Sequence, residues 1–138
     1  MLLVPLAERL TRRALTARGV HSRYVKTSIA EHHVYDAPGT TASDAAPLPT
    51  IVLLHGISSS AAVFAPTIAR LRGRARRILA IEAPGHGLSG APSVPLTPEV
   101  LFETMAEVLV RELTEPAILC GNSLGGAIAV SFALRHPE

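Results

Sequence analysis

Ala117-Ile118-Leu119-Cys120-Gly121-Asn122-Ser123-Leu124-Gly125-Gly126-Ala127 is the stretch on which the reading of this chain turns. Ala117 to Cys120 run without a polar break, as in a β-strand buried on both faces. Ser123 to Arg135 are mostly small and apolar and are stopped by Pro137, which predicts a helix. Between them, Gly121-Asn122-Ser123-Leu124-Gly125 fits the pattern G-x-S-x-G at a strand-to-helix turn. So tight a turn forces Ser123 into a strained backbone geometry. Side chains two residues before and two after it would collide, which requires glycine at 121 and 125. The turn lifts the Ser123 hydroxyl clear of the sheet. The helix N-terminus aims free N–H groups at the same space, so the backbone N–H of Leu124 is an expected donor to a developing oxyanion. Cys120 is expected to pack in the core rather than to react.

Working outward, Ile51 to Leu54 form a second continuous apolar run that ends at His55-Gly56. The loop after it would face the serine turn, where the N–H of Ile57 is the expected second oxyanion donor. His55 and Gly56 are read as structural, with His55 bonding within its own loop. Arg77 to Ala83 predict another buried strand, broken by Pro84-Gly85-His86-Gly87. A short helix with Phe64, Ile68 and Leu71 on one face lies between these two strands. Thr97-Pro98-Glu99 opens a longer helix. Thr97 can cap, Pro98 fits the first turn, and Leu101, Met105 and Val108 supply the apolar stripe. Strand alternating with helix implies parallel strands joined by right-handed crossovers. Earlier, Ser22–Ser28 and Glu31–Ala37 read as two short strands forming a hairpin, followed by a loop over 38–49.

Residues 1–19 are read as an N-terminal amphipathic extension and 20–138 as one α/β unit. Leu6, Leu10 and Ala14 sit at helical spacing beside Arg9, Arg12 and Arg13. This predicts a surface helix packed on the body, with a membrane-touching or organelle-targeting helix as the alternative. The leading apolar stretch is too short for a secretory signal, and a cytoplasmic protein is expected.

The composition narrows the field. Of 138 residues, 48% are apolar and 17% charged, which suits a packed core and excludes global disorder. No apolar run approaches the ~20 residues of a spanning helix, so stable membrane insertion is not expected. The single cysteine excludes a disulfide framework and any multi-cysteine zinc site. A net charge of +2 without tryptophan gives little support to a nucleic-acid partner. The Arg70 to Arg77 cluster falls at a helix C-terminus, where cations suit the dipole. His32 and His33 point to opposite faces of one strand and cannot share a metal there.

On Leu54-His55-Gly56, Pro84-Gly85-His86-Gly87-Leu88-Ser89 and Gly121-Asn122-Ser123-Leu124-Gly125-Gly126, in that order and spacing, the chain resembles the α/β-hydrolase superfamily. The resemblance covers about residues 22–138. It implies a doubly wound, mostly parallel sheet, a serine hydrolase acting on a small ester or similar acyl substrate, and neither cofactor nor metal. Glu82 departs from it, because the family has Asp two residues before Pro-Gly; the longer carboxylate is expected to serve the same loop. Ser123 sets the chain apart from the dehalogenase and epoxide-hydrolase branches, which use Asp there.

A serine nucleophile needs a base and a carboxylate to orient that base, and in this family both follow the serine. After Ser123 the sequence offers only His136 and Glu138. Thirteen helical residues put His136 roughly 20 Å from Ser123, too far for a base. His86 is expected to shape its own loop, and Asp36 and Asp44 precede the nucleophile. The economical expectation is a hydrolase cut off after the helix that follows the serine, inactive alone and lacking a C-terminal half. The strand at Ala117 would then be an apolar edge prone to aggregation. The alternatives are a non-catalytic binder or degenerate paralogue, and a C–C hydrolase, thioesterase or perhydrolase on the same fold.

Overall fold

Two antiparallel strands and three parallel ones build the sheet. The computed structural model describes residues 3–40 and 46–137; Asp44 lies outside them. Helix α1 (Leu3–Ala17) leads into β1 (His21–Lys26) and β2 (Glu31–Pro38), paired antiparallel. The hairpin turn lacks glycine. Thr27 closes it instead, its N–H and its hydroxyl both donating to the Ala30 carbonyl at 2.8 and 3.0 Å. Then come β3 (Thr50–Leu54), a 3₁₀ turn (Ala61–Phe64), α2 (Ala65–Leu71), β4 (Arg77–Ile81), α3 (Pro98–Glu112), β5 (Ala117–Gly121) and α4 (Leu124–Arg135). The sheet order is β1-β2-β4-β3-β5. β3 pairs parallel with β4 and β5, while β4 meets β2 antiparallel. The sheet is therefore mostly parallel in its regular half, as the sequence implied. Thr97 caps α3, its Oγ accepting from the Val100 N–H, with Pro98 in the first turn.

Alternation along the strands divides the core in two. Ile51, Leu53, Ile78 and Ala80 face Leu15 of α1 and Ile68 of α2. Val52, Leu54, Leu79 and Ile81 face Met105, Val108 and Leu109 of α3 and Ile128 and Phe132 of α4. β3 and β4 are apolar and buried from their second residue on because both their faces are covered.

Two expectations fail here. α1 does pack on the body, but not through Leu6, Leu10 and Ala14. Leu6 and Leu10 are 53% and 56% exposed, Ala14 is exposed, and Leu15, on another face of the helix, is the buried anchor. Cys120 is not a core residue either; it is exposed. The physical reason is its strand's place in the sheet. Among the described residues β5 has β3 on one side only, and Ile118 near Cys120 is 39% exposed.

A four-charge cluster ties the antiparallel hairpin to the far end of α3. Arg23 (β1) and Arg77 (β4) both donate to Asp36 (β2) and to Glu112 (α3), at 2.5–3.0 Å. Arg77 also donates to the Glu112 carbonyl. Burial resists ionisation of Asp36 and Glu112, but the guanidinium hydrogen bonds outweigh it and hold both carboxyls below their ordinary pKa. Both are thus harder to protonate folded than unfolded. The stabilisation is complete above the usual carboxylate pKa of about 4 and is lost as pH falls through the depressed folded values. Tm should hold steady from pH 7 to about 5 and fall below about 4. Asp36→Asn should flatten that acid limb. A limb unchanged by Asp36→Asn would remove the cluster as its source.

Candidate active site

The crevice between β3 and β5 is where the chain's winding reverses. α2, which follows β3, lies on one face of the sheet; α4, which follows β5, lies on the other. Loops leaving two adjacent parallel strands for opposite faces open a cleft at the strands' carboxyl ends, where open α/β sheets bind ligands. Ser123 stands just past the carboxyl end of β5, at that reversal.

The turn that carries it is as compressed as its glycines required. Ser123 has φ 52° and ψ −115°, a conformation that side chains other than glycine's rarely adopt. The Asn122 N–H extends the β3–β5 ladder by donating to the Leu54 carbonyl at 3.0 Å. A Cβ on Gly121 would lie 2.2 Å from the Gly125 carbonyl carbon and oxygen, and one on Gly125 only 2.1 Å from the Leu54 oxygen. Ser123 itself is exposed. Leu124 opens α4, whose first N–H groups have no acceptor within the helix.

The loop after β3 closes against this turn. A Cβ on Gly56 would sit 3.4 Å from the Ser123 Cβ and 3.3 Å from the Asn122 carbonyl oxygen. Ile57 follows at 70% exposed. Ser58 takes φ 57°, a second strained backbone position. No local signal marks it, because serine is not a residue that favours positive φ.

Two histidines brace these loops. His55 is buried. Its Nδ1–H donates to the Gly56 carbonyl at 2.7 Å and its Nε2 accepts from the Ala83 N–H at 3.1 Å. Those partners fix the neutral tautomer. Burial holds its pKa below the ordinary imidazole value, and nearby His86 pushes the same way. His86 donates from Nδ1 to the Pro84 carbonyl and accepts at Nε2 from the Ser58 N–H, at 3.0 and 3.4 Å. Both nitrogens of both rings are thus committed to loop backbone. His136 lies at the far end of α4, stacked on Phe132 with ring centroids 4.4 Å apart.

Glu82 carries more of this architecture than its position suggested. Its carboxylate accepts from the Ala61 N–H at 3.1 Å and the Leu88 N–H at 2.6 Å. It therefore joins the loop leaving β3 to the loop leaving β4. Gly87 lies so close that a Cβ there would meet a Glu82 oxygen at 2.2 Å. Behind it, buried His33 holds Nδ1 3.2 Å from Oε2, within ion-pair range though not aligned as a hydrogen bond, while its Nε2 meets the Ser22 hydroxyl. His32, on the other face of β2, bonds to the Glu82 carbonyl and the Thr104 hydroxyl. Burial lowers its pKa. Among the described residues no three His, Cys, Asp or Glu cluster as a metal site would need, and no helix is long and apolar enough to cross a membrane.

Comparison with known proteins adds to this geometry. The model of the alpha/beta hydrolase family matches residues 51–136. A pimeloyl-(acyl-carrier protein) methyl ester esterase of Xanthomonas axonopodis pv. citri is 40% identical over 91 residues, which cover 65% of this chain and 33% of that protein. A 2-(acetamidomethylene)succinate hydrolase of Mesorhizobium japonicum is 34% identical over 90 residues, 65% of this chain and 32% of that one. Among solved structures, a carboxylesterase from Bacillus subtilis aligns with a TM-score of 0.69 at 28% identity, over 96% of this chain and 46% of its own. The chain spans about a third of the length of the curated relatives it matches.

Proposed function

The chain belongs to the alpha/beta hydrolase family, and we propose from this that it carries the nucleophile-bearing part of a serine hydrolase acting on an ester or similar small acyl substrate. The observation that carries the reading is the backbone of Ser123. A residue held at φ 52° and ψ −115° between strand and helix, exposed at the winding reversal, costs stability that a purely structural turn has no need of. The esterase and carboxylesterase among its relatives support the choice of an acyl substrate.

In this reading the Ser123 hydroxyl attacks the carbonyl carbon. Its proton passes to a base, and the carbonyl oxygen becomes an oxyanion accepting from the N–H groups of Ile57 and Leu124. The leaving alcohol takes the proton, and water then releases the acid from the serine ester. Gly121 and Gly125 hold the turn, and His55 and Gly56 hold the facing loop. We infer that these 138 residues do not complete the machinery. His55 and His86 have both ring nitrogens bonded to loop backbone, and His136 is at the wrong end of α4. The isolated chain should therefore be nearly inert.

The test is a fluorophosphonate probe applied to the native protein in its source extract and to the isolated 138-residue chain, followed by peptide mapping. The native protein should be labelled on Ser123. The isolated chain should react slower by at least about 10³-fold, as serines do without their base. A native protein left unlabelled beside a labelled control hydrolase would sink the nucleophile assignment and favour a non-catalytic binder. Labelling with no turnover of esters would shift the reading to thioester, C–C or perhydrolysis chemistry.

A further inference from the structure

We propose that α1 docks the protein onto an anionic lipid surface, lying flat with its outward face in the interface. Leu6, Arg9, Leu10 and Arg13 follow the i, i+3, i+4, i+7 spacing that puts residues on one side of a helix, and all four are exposed. The helix is anchored from its opposite side by Leu15, which is 4% exposed. An amphipathic helix in a packed domain ordinarily turns its apolar side inward; α1 turns two leucines and two arginines out.

The charge around it makes the occupant specific. Arg72 donates to the carbonyls of Arg18, Gly19 and Pro38, which joins the ends of α1 and α2 into one surface. On that surface Arg9, Arg13, Arg18, Arg70 and Arg74 are exposed, and Glu8, the one acid in these segments, is half-buried. The other layer carries more of the acids, with Glu99, Glu103, Glu107 and Glu112 along α3, the last three paired with Arg135, Arg111 and the Arg23–Arg77 pair. The net charge of +2 conceals this separation across the sheet. Leucines to enter the acyl boundary, flanked by arginines to meet anionic headgroups, are what interfacial binding needs. The 3₁₀ turn that packs against α1 adds Val63, 56% exposed.

The experiment is co-sedimentation of the whole chain with phosphatidylcholine vesicles, with and without phosphatidylglycerol as one lipid in three. Binding should require the anionic lipid and weaken at ~1 M salt, where the Debye length is about 3 Å. Arg9→Gln with Arg13→Gln should lower the partition coefficient by roughly 25-fold, at about fivefold per arginine. Leu6→Gln with Leu10→Gln should lower it by roughly tenfold or more. All four positions are exposed, and unchanged far-UV dichroism checks that the variants fold. Val130→Gln with Leu134→Gln, on the exposed side of α4, should bind as the parent does. Equal binding to neutral vesicles would overturn the proposal, as would loss of binding on changing Val130 and Leu134. Parent-like binding by the leucine variant would also overturn it, because the arginines would then be acting as a general polyanion patch; duplex DNA would reveal that patch.

Discussion

Ser123→Gly is expected to abolish ester turnover by the native protein, by a factor on the order of 10⁵ or more, and at the same time to raise its Tm by a few degrees. The two effects have separate causes. The first follows from removing the attacking oxygen. The second follows from the backbone, since φ 52° and ψ −115° cost a side-chain-bearing residue about 1–3 kcal/mol and glycine very little. Glycine's greater freedom in the unfolded chain takes back roughly 0.5–1 kcal/mol. The net gain is about 1 kcal/mol, enough to be read by calorimetry. Ser123→Ala separates the causes, losing activity equally while keeping the strain. A glycine variant that melts with the alanine one would refute the strain, and residual turnover in both would refute the nucleophile.

Gly125→Ala should be the most damaging conservative change in the turn. The added methyl would lie 2.1 Å from the Leu54 oxygen and 2.8 Å from the His55 oxygen. Both are backbone atoms that move only if β3 and α4 separate. A cost of about 3–5 kcal/mol follows, a large share of the stability of a small domain. Gly126→Ala is the matched control. Beyond its own helix the added methyl would first meet the Gly121 oxygen at 3.4 Å, an ordinary contact, and alanine favours the helix by about 1 kcal/mol. Urea denaturation of the two variants should place them several kcal/mol apart. Midpoints that coincide would mean the turn is looser than its geometry implies.

The strands and the serine turn were legible because their signals are local. Ile51 to Leu54 and Ile78 to Ile81 are apolar throughout, which only double-sided burial explains, and Thr97-Pro98 marks a helix start on its own. What the sequence hid depends on neighbours. Ala117 to Cys120 has the same apolar pattern as β3, yet Cys120 is exposed because β5 has a single partner strand. The leucines of α1 have the spacing of a packed face, and only the position of Leu15 shows that they point away. The Glu82 carboxylate could be expected to serve the loop after β4, and it does through Leu88. That it also holds Ala61 depends on the return of the chain after β3. The pairing of Arg23 and Arg77 with Asp36 and Glu112 spans 89 residues, beyond any local pattern.

Among the described residues, the strand that presents Ser123 is tied to the sheet by one ladder, through β3, whereas β2, β3 and β4 each have two neighbours. Stability within a domain is spent unevenly, and units with fewer partners open at lower free energy than the whole. Within these 138 residues β5 and α4 are then expected to open before the rest of the sheet. The strained turn of Ser123 in these 138 residues would be lost at that partial opening, at a temperature or denaturant concentration below the one at which the rest of the sheet unfolds.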